Sequence, residues 1–200
     1  WISSLVIAIT TAARQIPAER EQRTLLPLLA KPLSRSQLIL GKFLGCWVAC
    51  GLALLCFYVF FGALSASREH DWPVLNYLQA GLMHWVALGV VIALTLLGSL
   101  VFAAPSSNAT ICFVVVGGIL FVGRYLDVVA LSLQKPWQTI VYAIYFVIPH
   151  LEFFDMRKLI IHDWPMIDWR YIGLAAIYGA AYAAFFLAAA CLVFRRKAVN

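Results

Sequence analysis

Four stretches of this chain, about 43–66, 78–103, 110–131 and 171–194, stay apolar for longer than the roughly 20 residues a helix needs to cross a bilayer core. That feature constrains the fold more than any other. Inside lipid every backbone N–H and C=O must be satisfied by the spanning segment itself, so such runs are helices. Composition agrees: 64% of residues are hydrophobic, 12% are charged and the mean hydropathy is +0.89. A soluble domain carries about 45–50% apolar and about 25% charged residues. The reading is an all-α integral membrane protein, a polytopic helical bundle. Residues 1–13 form a shorter apolar run, about 20 Å as a helix. No basic stretch precedes it and no cleavage site follows, so it is not the core of a signal peptide. It reads as the inner end of a truncated span that begins before Trp1. Five spans are therefore visible, and one missing span with a cytoplasmic start would make six.

The charged residues fall between and beyond these runs. Residues 14–42 make up the only long polar and basic segment, where Arg14, Arg20, Arg23, Lys31, Arg35 and Lys42 face only Glu19 and Glu21. The bias of Lys and Arg toward the inner face places it in the cytoplasm. The net charge of +6 thus follows from topology, and nucleic acid is not an expected partner. The segment carries the signals of folded structure. Thr24 suits a helix cap with Pro27 in the first turn, and Pro32 stops that helix. Ser34 and Gln37 then form a capping box, with Leu33 and Leu38 as its hydrophobic staple, leading straight into the next span. Leu25, Leu26, Leu28 and Leu29 sit on the short helix between charges. They serve either the lipid interface and the protein's own helices, or the groove of a partner that receives the helix as a knob.

Parity tests this placement. With 14–42 inside, the 67–77 loop is outside, the 104–109 turn inside, the segment 132–170 outside and Arg195-Arg196-Lys197 inside. Both basic clusters then share one face, while the outer segment balances its charges. The turn offers Ser107 or Asn108 as the cap of the next helix. Between Pro136 and Pro149 the outer segment holds a dozen mostly apolar residues, too few to cross, which predicts a re-entrant or interfacial helix. Gly173, Ala176, Gly179, Ala180, Ala183 and Ala184 form a seam of small residues on the last span, suited to close helix packing.

Candidate chemistry is sparse. Gly41-Lys42 is not a P-loop, because Ser36 stands where the first glycine belongs and Phe43 where the hydroxyl residue belongs. No ATP site and no catalytic constellation is expected in the chain. Cys46, Cys50, Cys56, Cys112 and Cys191 lie in apolar runs and behave as small hydrophobes. His150, Glu152, Asp155, His162 and Asp163 have metal-ligand chemistry but lack helical i, i+4 spacing, and solvated charges on an interfacial helix account for them better. His84 in the third span reads as bonded to a neighbouring helix or as lining a substrate path. Arg124 and Asp127 read as a snorkelling pair, with the same path as the alternative.

Glu19, Glu21, Thr24, Leu25, Leu28, Leu29, Pro32, Leu33, Ser34 and Arg35, followed by Gly41-Lys42, resemble the cytoplasmic loop of type-2 ABC transporter permeases. The similarity is greatest to the branch described as involved in multi-copper enzyme maturation. Arg23 stands where many members have glycine. The resemblance implies that 14–42 carries a coupling helix docked on an ATP-binding subunit. It also implies six spans, paired half-helices before the last one, and a dimer of permeases, homo- or heteromeric, bound to two ATP-binding subunits. ATP and Mg would sit on that partner, with no cofactor in this chain. The implied function is the permease of an exporter for lipid, lipid-linked, drug-like or peptide cargo, in a bacterial inner membrane. The alternative is a non-transporting membrane anchor or scaffold that recruits a cytoplasmic ATPase and an outer-face partner.

Overall fold

The computed structural model describes residues 1–21, 34–69, 74–162 and 164–196, apart from the side chains of Arg20, Glu69, Arg124 and Asp127. Among the described residues there are helices and no strands. In chain order they are α1 (Ile2–Glu21), α2 (Arg35–Glu69), α3 (Val74–Val101), α4 (Pro105–Val122), α5 (Leu126–Ser132), α6 (Trp137–Val147), α7 (Arg157–Ile161) and α8 (Trp169–Arg196). Single 3-10 turns occupy Gly123–Tyr125 and Leu151–Phe154. Five segments are long and apolar enough to cross a membrane: Arg35–Arg68, Val74–Val101, Pro105–Val122, Trp137–Ile161 and Trp169–Arg196. The protein is an all-α polytopic membrane protein.

These five are not the five that hydropathy suggests. Residues 1–13 are only the first part of α1, which runs on through Arg14 and Pro17 to Glu21. The run 110–131 is not one helix either. It starts at Pro105, breaks at Gly123–Tyr125 and resumes as α5. Pro105 explains the early start, since a missing N–H costs nothing in a first turn. Ala104 is the cap residue and makes no side-chain cap bond, so neither Ser107 nor Asn108 caps this helix. Asn108 is instead fully buried against α3. The apolar segment Trp137–Ile161 consists of α6, a 3-10 turn and α7, and its longest helix has 11 residues. At 1.5 Å per residue α6 reaches about 16 Å, half a bilayer core.

Helix α3 lies at the centre. Of its most apolar stretch 67% is buried, against 22–28% in the other four segments, and it packs on α1, α2, α4 and α8. Its core face includes Met83, Leu88, Ile92, Leu96 and Leu100, all fully covered. Against it α8 presents Ile172, Gly179, Leu187, Ala190 and Phe194, one helical face. Gly179 is the point of closest approach. A Cβ there would meet Val86 at 2.5 Å and Phe154 at 2.9 Å. The small-residue seam is thus only partly the packing face: Gly173, Ala180 and Ala184 point outward.

Candidate functional site

The two stems of the loop between α1 and α2 come together. Helix α2 starts with the reciprocal box: Gln37 N–H donates to Ser34 Oγ at 3.2 Å, and Ser34 N–H donates to Gln37 Oε1 at 2.8 Å. Two of the amides that a helix start leaves unsatisfied are thereby paired. Two turns on, Lys42 Nζ lies 2.6 Å from Glu19 Oε1 on α1 and 3.4 Å from Gln15 Oε1. The side chains of Lys42 and Glu19 are only 12% and 22% exposed, so water screens this pair less than a surface one. Arg35 turns the other way. Its guanidinium donates to the carbonyls of Phe194 at 3.0 Å and Arg195 at 3.3 Å, and lies 5.6 Å over the Phe194 ring. Arg35, expected on the partner-facing surface, is thus engaged with the end of α8. Glu21 is exposed at the end of α1. Thr24, Leu25, Leu28, Leu29, Pro32 and Leu33 lie outside the described residues.

His84 is buried and bridges three helices. Its Nε2 stands 2.7 Å from Ser4 Oγ on α1, and its Nδ1 3.4 Å from Tyr58 Oη on α2. Ser4 Oγ also sits 2.6 Å from the Trp1 carbonyl, which can only accept. The Ser4 hydroxyl therefore spends its proton there, Nε2–H donates to Ser4, and Nδ1 accepts from Tyr58. One neutral tautomer satisfies every member. The ring edge borders a cavity of about 810 Å³ with Arg68 and Arg157 on its wall and Phe57, Phe61 and Ile160 around it. The side chains of Arg124 and Asp127 are not among those described.

Among the described residues, His150 pairs with Glu152, while Asp155 and His162 take separate partners. His150 Nδ1 is 3.4 Å from Glu152 Oε1, and its ring lies between Tyr145 and Phe153 with centroids at 4.3 and 5.3 Å. Asp155 instead grips Arg157 through two bonds of 2.7 Å. The His162 ring lies tilted beside Trp164 with centroids 5.9 Å apart, and Asp163 lies outside the described residues. Among the described residues no three His, Cys, Asp or Glu side chains converge. What the segment does have is attachment. His150 N–H donates to Tyr178 Oη at 3.0 Å, and Tyr182 Oη donates to the Val147 carbonyl at 3.3 Å.

Three further ties on α3 are absent from the sequence reading. Trp47 Nε1–H donates to the Trp85 carbonyl at 2.9 Å and Trp85 Nε1–H to the Trp47 carbonyl at 3.0 Å, with the rings stacked at 4.4 Å. Each ring lies on a glycine of the opposite helix, Gly51 under Trp85 and Gly89 under Trp47. The signal was present as a repeat, Trp-Val-Ala-Cys-Gly at 47–51 and Trp-Val-Ala-Leu-Gly at 85–89. Gln79 holds Ile167 by both its backbone groups (2.8 and 3.3 Å), and Asn76 donates to the Trp164 carbonyl at 3.2 Å. Asn108 donates to the Thr95 carbonyl at 3.1 Å and fills the space over Gly98. Polar residues within an apolar span were the available clue.

A search of curated protein sequences finds no match. The model of one protein family, described as ABC-2 family transporter protein, matches residues 5–199. That match takes in the loop stems, the central helix and the outer segment alike. The chain belongs to the ABC-2 transporter family, as a multi-pass membrane permease whose partner is an ABC ATP-binding subunit.

Proposed function

We propose that this permease serves an ATP-driven exporter, with hydrolysis in the separate subunit coupled to cargo movement through the loop between α1 and α2. The observation that carries the reading is how the loop is mounted. Its entry and exit helices are tied by Lys42 to Glu19, and its exit is capped at Ser34. A loop held at both stems passes a push to its helices, whereas a slack tether absorbs it. Two copies, each seated on one ATP-binding subunit, would form the path, and the chain itself binds no nucleotide. An amphipathic cargo, lipid or lipid-linked, suits cavities that combine arginines with aromatic and aliphatic walls. Location in a bacterial inner membrane belongs to the same proposal.

Replacing Leu25 or Leu29 with Asp tests it. The protein is expected to insert normally while ATP hydrolysis and transport by the assembled complex come apart. Unchanged association with the ATPase and unchanged coupling after both substitutions would refute the docking role. The rival reading, a scaffold without transport, predicts that the distance between α2 helices of two copies does not respond to nucleotide.

A further inference from the structure

Arg35 is the first residue of α2, where a cation is poorly placed for that helix, since a helix N-terminus carries partial positive charge. Its position makes sense from α8. The last carbonyls of α8 have no partner within their own helix and form its negative end. Arg35 supplies the donors from 159 residues away in sequence, and its cation sits over the buried Phe194 ring. Higher on the same α8, Tyr178 and Tyr182 bond the backbone at His150 and Val147, where the outer segment bends between α6 and the 3-10 turn. One uninterrupted helix of 28 residues thus joins the exit of the cytoplasmic loop to the outer segment.

We propose that Arg35 is a positioning residue for transport: it makes α8 move with the cytoplasmic loop, and the two tyrosines carry that movement to Val147–His150 on the far side. The nucleotide state is then read in the outer segment through α8 and not through α2 alone. The inference rests on the coupling role of the loop proposed above, and it reassigns Arg35 from the surface that meets the ATPase to the joint behind it.

The test is hydrogen–deuterium exchange of the complete complex with its ATP-binding subunit in lipid nanodiscs, with and without Mg-ATP under non-hydrolysing conditions. In the unaltered complex, nucleotide changes exchange at 147–156. Arg35→Ala is expected to reduce that change at least fivefold while the ATPase still co-purifies, and Arg35→Lys to restore part of it. Tyr178→Phe keeps the ring and deletes the hydroxyl, and is expected to suppress the same change without altering exchange at the loop. It carries the test should Arg35→Ala fail to insert. An outer-segment response that survives both Arg35→Ala and Tyr178→Phe overturns the proposal, as does loss of ATPase association on Arg35→Ala, which would make Arg35 a docking residue. If the unaltered complex shows no nucleotide response even at the loop, the coupling reading itself fails, and this one with it.

Discussion

Single residues in this protein act as ties between helices, and the Trp47–Trp85 pair is the clearest case. A Cβ at Gly89 would lie 3.0 Å from Trp47 Nε1, and one at Gly51 closer still to Trp85. Overpacking of this kind costs about 1–3 kcal/mol. Gly51→Ala is therefore expected to lower the thermal midpoint in detergent more than Gly89→Ala, and both to alter tryptophan fluorescence, the readout that would expose an unperturbed pair. His84→Phe keeps a ring but loses both hydrogen bonds, for about 1–2 kcal/mol. With the ring's bond already gone, Ser4→Ala added to His84→Phe loses only the bond to the Trp1 carbonyl and should cost less than Ser4→Ala alone, and additive losses would contradict the relay. The box at Ser34 and Gln37 was legible because it depends on residues three apart. The tryptophan interlock was not, because it joins residues 38 apart and each ring needs the other helix's glycine. The contact of Arg35 with α8 was not legible for a related reason: nothing local to it points 159 residues ahead.

Helices were easier to read than their roles. The apolar runs of α2, α3 and α8 show in the sequence because lipid demands them. That α3 is the hub does not, since it is as apolar as its neighbours and burial among helices leaves no mark on hydropathy. The difference lies in Asn76, Gln79, His84, Thr95 and Ser99, a set of buried polar groups on one span. Gln79→Leu should free the stretch after Trp164, seen as faster exchange or proteolysis at 165–168, with the bundle intact. At the other end, charge reversal across Glu19 and Lys42 should destabilise singly and recover in the double reversal, with a coupling energy of about 1 kcal/mol for a largely covered pair. In the outer segment the short helix α6 was legible between Pro136 and Pro149. Its division at Pro149 and at Asp155–Met156 reflects anchoring by Leu151, Phe154 and Leu159, which tertiary contact decides.

For the whole molecule, the contact between Arg35 and the end of α8 places the two basic clusters at one end of the bundle. Counting spans leads to the same grouping by an independent route. Single cysteines replacing Ser36 and Arg196 in a cysteine-free background should react together with an impermeant thiol reagent applied to one face, and one replacing Arg170 only from the other. Any other pattern would break the topology. The reciprocal tryptophans then have a mechanical consequence. They grip α2 about 18 Å from its loop end, and the Tyr58–His84 bond grips it again about 16 Å further on. A rod fastened at two heights cannot pivot at either: a sideways nudge at its short end carries the neighbouring α3 along with it. Two indoles and two missing methyl groups thus weld the pair into a single strut.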